Sequence, residues 1–193
     1  GQTQGVRDVV AFQDLGEINP YSPHIQSTGG GDGRARNEIN NLYPRLLANP
    51  NIRFVDKIVT ELTGPNFNLV QVQDFEKTYA RKLDPKDYNF NPQLGYISMN
   101  TLIQPNEVLA VAFQYEFNGQ VFQVGEFANQ VPPDSSTTSK VLFLKMLKST
   151  SARPTLPIWD LMMKNIYSLG AYQLSNEDFR LDIYYNDPGG GEK

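Results

Sequence analysis

The chain has no cysteine among its 193 residues. That removes disulfides, thiolate nucleophiles and thiolate metal sites together, while leaving the compartment open. Histidine occurs once, at His24, and tryptophan once, at Trp159. Long apolar runs are also missing, since no stretch reaches the ~20 consecutive apolar residues a membrane helix needs. Basic residues are not in excess: 17 Lys and Arg stand against 21 Asp and Glu, for a net charge of −4. With a pI near 5.0, the chain offers no overall basic field to nucleic acid or anionic lipid. The start, Gly1-Gln2-Thr3-Gln4-Gly5, carries neither the basic nor the apolar region of a signal peptide, so none is expected there.

What is present is globular. A 39% hydrophobic and 20% charged composition lies well away from disordered chains, and the length suits one domain. Two Gly- or Pro-rich stretches divide it: Ser22 to Arg36, with Gly29 to Gly33 at its centre, and Gln130 to Ser139. Residues 1–39 are expected to form an N-terminal strand and a flexible glycine-rich loop, and residues 40–193 a β-rich core, in a single domain overall. The closing Asp187-Pro188-Gly189-Gly190-Gly191 reads as a turn or connector, and the expectation is a domain cut from a longer chain. No internal repeat is visible.

The clearest element is a hairpin. Val108 to Phe117 runs into Asn118-Gly119 and returns as Gln120 to Phe127. Asn-Gly between two β-rich runs marks a two-residue turn, because both positions need φ above zero. That loop length fixes the register: Phe117 opposite Gln120, Tyr115 opposite Phe122, Phe113 opposite Val124. One face then carries Val111, Phe113, Tyr115, Phe117, Phe122 and Val124 and is expected to be core. The other sets Ala110 against Phe127, Ala112 against Gly125 and Gln114 against Gln123, small enough for close approach.

Further strands are expected at Val6 to Phe12, Ile52 to Leu62, Phe67 to Val72, Thr78 to Leu83, Tyr96 to Met99, Val141 to Leu147 and Phe179 to Tyr185. Within the second of these, Phe54, Ile58 and Leu62 fit a helix equally well. A helix is expected at about 157–169, capped by Thr155 and stopped by Gly170, with two apolar stripes that bury it on two sides. A shorter helix over Ala35 to Leu47 contains Pro44. The resulting fold class is α+β and β-dominated: antiparallel sandwich or jelly-roll-like sheets with one packed helix.

Candidate chemistry is sparse. Asp87-Tyr88-Asn89-Phe90-Asn91 opens like a calcium loop, but Pro92 replaces the glycine and Ser98 the bidentate glutamate, which leaves an Asp/Asn turn as the better reading. Gly29 to Gly33 lacks the Lys-Ser/Thr of a phosphate loop; Arg34 and Arg36 beside it attract an anion only weakly. His24 has no Gly-x-Ser-x-Gly partner for a triad, and a zinc site needs more ligands than one histidine supplies. Glu177 and Asp178 are adjacent carboxylates of a kind that 21 acidic residues make common, and a hydrolase reading has no more than that behind it. Tyr79, Tyr88, Phe90, Tyr96, Tyr184 and Tyr185 lie in or beside expected strands, where aromatics serve core, interface or a sugar platform. No catalytic, metal or cofactor residue is therefore assigned.

Three runs carry a family resemblance. They are Phe75 to Ser98 (FEKTYARKLDPKDYNFNPQLGYIS), Glu107 to Tyr115 (EVLAVAFQY), and Leu142 to Lys148 (LFLKMLK) followed by Arg153 to Gly170 (RPTLPIWDLMMKNIYSLG). Together they resemble a segment of the SprA/Sov family, very large outer-membrane proteins of gliding and related bacteria, from about Asn40 to Gly191. The resemblance implies a soluble, non-enzymatic structural domain of a type IX secretion translocon, outer-membrane-associated on the extracellular or periplasmic side and linked to gliding motility and export of folded cargo. It implies as partners the rest of the parent barrel, other type IX secretion components and secreted cargo, with no nucleic acid and no membrane span in this segment. It brings no catalytic motif. The alternative is a cell-envelope module that binds glycan or cargo.

Overall fold

The computed structural model describes residues 6–16, 41–132, 140–163, 175, 177–182, 184, 186–187 and 191–192. The fold is β-dominated α+β, in two compact units, Gly1–Met162 and Met163–Lys193. The first contains β1 (Val6–Phe12), α1 (Leu42–Leu47), α2 (Ile58–Thr63), β2 (Phe75–Arg81), β3 (Tyr88–Asn91), β4 (Tyr96–Met99), β5 (Leu109–Val111), β6 (Phe113–Phe117), β7 (Gln120–Val124) and β8 (Leu142–Lys148). Among the described residues the second unit contributes a short antiparallel pair, β9 (Asn186–Asp187) with β10 (Gly191–Glu192). No helix of the described residues is long and apolar enough to cross a membrane.

A four-stranded sheet ordered β2-β1-β8-β5 forms the centre. β1 pairs antiparallel with β2 and parallel with β8, the one parallel pairing in an otherwise antiparallel set. Alternation along β1 divides the core between the two faces of this sheet. Val10, Phe12, Phe75 and Phe143 point to one side, where α1, α2 and Ile52 cover them with Tyr43, Leu46, Ile58 and Leu62. Phe143 meets Phe12 edge to face at 5.6 Å, the offset arrangement that ring quadrupoles favour. Ala11 and Met146 point to the other side and pack against Leu156 and Ile158.

β1 and β4 keep their expected bounds, while β8 and β2 are displaced by one and by a few residues. Other expectations need correction. Ile52 to Leu62 is not a strand: its end forms α2, and the helical spacing of Ile58 and Leu62 puts both in the core. Phe67 to Val72 does not extend either, because Asn68 and Val72 take φ of 52° and 70°, which breaks a pleat. Phe179 to Leu181 follows a turn in which Asp178 has φ 58°, and its described residues form no strand; Tyr185 lies outside them. α1 starts at Leu42 and tolerates Pro44 in its first turn, where the missing N–H has no helical acceptor to lose.

The helix expected at 157–169 begins as a short 3-10 turn, Pro157–Leu161, that gives way to extended backbone at Met162; residues 164–169 lie outside the described set. Ile158 is buried, but Leu161 and Met162 are exposed, so the described part is covered on one side only. Leu156, not Thr155, occupies the cap position.

Candidate interaction surface

The expected hairpin forms with the expected register, Phe113 opposite Val124, Tyr115 opposite Phe122, Phe117 opposite Gln120. Its burial differs from the expectation. Phe122 and Val124 are buried, but Phe113 is 38% exposed and Phe117 more so. The cause is a break at Ala112. Upstream of it, β5 leaves the hairpin to pair with β8, so Val111 belongs to the central sheet. Gly125 sits opposite this break with φ +74°, and a Cβ there would stand 3.0 Å from the Val111 carbonyl oxygen and 3.1 Å from Ala112. The small pair thus brings one part of the hairpin's own backbone onto another. Phe113, Tyr115 and Phe122 remain as a stacked series, with ring centroids 6.2 and 5.2 Å apart.

After Gly125 comes Glu126, a buried carboxylate that links three parts of the chain. Its backbone N–H donates to the Phe143 carbonyl at 2.8 Å, and the Phe143 N–H returns to Oε2 at 2.9 Å. Tyr43 Oη donates to Oε1 at 2.7 Å, and Arg53 binds both oxygens at 2.7 and 2.5 Å. The Arg53 guanidinium lies 4.2 Å from the Phe143 ring centroid. Burial works against the charge of Arg53, but hydrogen bonding and charge attraction from Glu126 hold its pKa above the ordinary arginine value. Burial, reinforced by the Glu126 hydrogen bond, pushes the Tyr43 phenol up. Glu76, the second buried acid, accepts from Ser149 Oγ, Thr150 N–H and Thr150 Oγ1 at 2.6, 2.9 and 2.7 Å. Both carboxylates are saturated by the fold itself. Sequence reasoning missed them, because neither a Glu after β7 nor one within β2 carries a sign of the distant Arg53 and Tyr43, or Ser149 and Thr150, that chain folding brings to it.

The candidate ligand residues are also engaged structurally or lie out of view. Asp87 accepts from the Asp84 N–H at 3.2 Å and from Arg81 at 3.3 Å, closing a capping box over the 3-10 turn Pro85–Asp87. The Asp84 backbone bond and then Arg81 hold its pKa below the usual aspartate value. Asn91 Oδ1 caps the β3–β4 turn through the N–H groups of Gln93 and Leu94. The Asp/Asn turn reading therefore describes this segment. Among the described residues, no three His, Cys, Asp or Glu side chains converge as metal ligands. Glu177 is exposed at a turn, with its N–H on Ser175 Oγ. His24, Gly29 to Gly33, Arg34 and Arg36 lie outside the described residues.

The aromatics gather at one notable place. No charged residue occurs between Asp87 and Glu107, and this run forms the antiparallel arm β3–β4 and the segment after it. The register puts Tyr88, Phe90, Ile97 and Met99 on one face and Asn89, Asn91, Tyr96 and Ser98 on the other. None of these side chains is fully buried; Phe90 is 59%, Leu94 74% and Leu102 86% exposed. A two-stranded ribbon needs packing against something to be stable, and a neutral, apolar-rich arm of this kind is the feature of an interaction element. Tyr79, in β2, and Tyr184, in the second unit, are also exposed. No family model matches the chain, and no curated protein matches it.

Proposed function

We propose that this chain is a non-enzymatic structural domain of a SprA-like outer-membrane translocon of type IX secretion, held between the parent barrel and other secretion components and serving export of folded cargo and gliding. The resemblance of Asn40 to Gly191 supports the family reading. The observation that carries the structural role is the neutral arm Tyr88 to Met99, whose apolar face is only partly covered within the described chain, with Phe90 59% exposed and Tyr88, Ile97 and Met99 half-buried. Saturated Glu126 and Glu76 support the same reading, because neither leaves a buried acid or base for proton transfer.

The test is genetic. Deleting the codons for residues 40–191 from the parent gene is expected to abolish cargo export and gliding while the barrel still reaches the outer membrane. Normal secretion and gliding by that strain would overturn the proposal.

A further inference from the structure

The polar face of the β3–β4 arm borders an open concavity of about 540 Å3, and we propose that it is a subsite for a neutral saccharide. The inference is independent of the translocon reading, because it concerns what this arm binds rather than which machine contains it. Asn89, Asn91, Gln93, Tyr96 and Ser98 line the concavity together with Phe90 and Pro92.

The site is partly pre-ordered. Asn91 Oδ1 takes the Gln93 and Leu94 N–H groups at 3.0 and 2.9 Å, and the Gly95 N–H bonds the Asn91 carbonyl at 2.9 Å. Gly95 has φ +67°, the conformation this turn requires and glycine permits. Asn89 Nδ2 donates to Asn100 Oδ1 at 2.7 Å, and Asn100 Nδ2 in turn to the Lys86 carbonyl at 2.8 Å, which fixes the Asn89 side chain. Among the described residues, the remaining polar groups have no partner: Asn89 Oδ1, Asn91 Nδ2, both ends of the Gln93 amide, Ser98 Oγ and Tyr96 Oη.

This set selects a ligand class. A sugar hydroxyl both donates and accepts, and side-chain amides and hydroxyls offer both functions at one surface. The C–H face of a pyranose stacks on an aromatic ring, and Tyr96 stands among the amides, opposite Asn91 across the strand pair. A phosphate, sulfate or carboxylate ligand finds no cation in the lining. A flat protein partner would make better use of the opposite, apolar face.

The test is an NMR titration of the 15N-labelled chain with maltotriose, cellotriose and tri-N-acetylchitotriose, each to ~10 mM, since a shallow site of this size is expected to bind with a Kd on the order of 1 mM. Shifts confined to residues 89–98 with at least one trisaccharide support the site. Tyr96→Ala is expected to weaken binding tenfold or more, and Gln93→Ala several-fold. Gln93 has no side-chain partner, so that variant keeps the arm folded and the test decisive even where Tyr96→Ala disturbs it. The bound trisaccharide is then attached to a neutral peptide: tighter binding assigns a glycoprotein source, and unchanged binding a free polysaccharide. Absence of shifts with all three sugars, or equal binding by wild type and both variants, overturns the proposal. So does a response of residues 89–98 to the purified remainder of the parent chain but to no sugar.

Discussion

Arg53 and Glu126 stand 73 positions apart and meet through both guanidinium Nη atoms and both carboxylate oxygens, with the Glu126 side chain 2% exposed. The pair joins the segment between α1 and α2 to the junction of β7 and β8, and the Arg53 carbonyl also accepts the Val141 N–H at 3.1 Å. An ion pair taken out of water gains little over an apolar replacement, but losing one partner strands the other.

Glu126→Ala is therefore expected to destabilise the chain by about 3 kcal/mol, since it leaves Arg53, Tyr43 and the Phe143 N–H without their acceptor. Urea denaturation followed by circular dichroism measures it. A midpoint equal to that of wild type would show that the pair is not held together in solution.

Two phenylalanines are expected to separate sharply. Phe143 is fully buried against Phe12, so Phe143→Ala should cost about 3–5 kcal/mol. Phe113 is exposed and stacks only on Tyr115, so Phe113→Ala should cost no more than about 1 kcal/mol. Comparable melting losses in the two variants would place Phe113 in the core after all.

Gly125 and Gly95 both hold positive φ, but only Gly125 faces backbone at 3.0 Å; around Gly95 there is open space. Gly95→Ala is expected to cost about 1–2 kcal/mol from left-handed strain, and Gly125→Ala about 3 kcal/mol once the contact is added. Equal losses would mean that the break at Ala112 relaxes freely.

Lys145 lies on the Phe12 side of the central sheet, opposite Phe12 itself, and its ammonium donates to the Gln13 carbonyl. Burial lowers its pKa below the ordinary lysine value of 10.5, with Asp14 opposing the shift. In the window between the lowered pKa and 10.5, the unfolded chain binds more protons than the folded one. The contribution of Lys145 to stability therefore rises with pH there, and it is least favourable below the folded pKa, where the charge is buried. Denaturation curves from pH 7 to 10 should show this slope in wild type and lose it in Lys145→Met; identical slopes would count against the burial.

The hairpin register and its Asn118-Gly119 turn were legible in the sequence because local backbone chemistry decides them: φ is 51° and 74° at the two positions. The strand at Val6–Phe12 and the β-dominated class were legible as short β-rich runs, even though Val6–Phe12 does not alternate in burial. Alternation cannot say what covers a face, however. Phe113 and Phe122 have the same local pattern, and only the departure of β5 toward β8 exposed the first while the second stayed buried.

The candidate surface divides along the same line. Sequence by itself determined that Tyr88 to Asn106 is uncharged and that Asp87 and Asn91 favour turns. Only tertiary structure decided that the two strands of this run pair with each other and leave Phe90 exposed on one face and Asn89 and Ser98 on the other, and that Arg53 and Tyr43 converge on Glu126. The physical reason is range. Turn and strand preferences act through neighbouring residues, whereas burial and ion pairing depend on which distant segments the closed chain brings within a few ångströms.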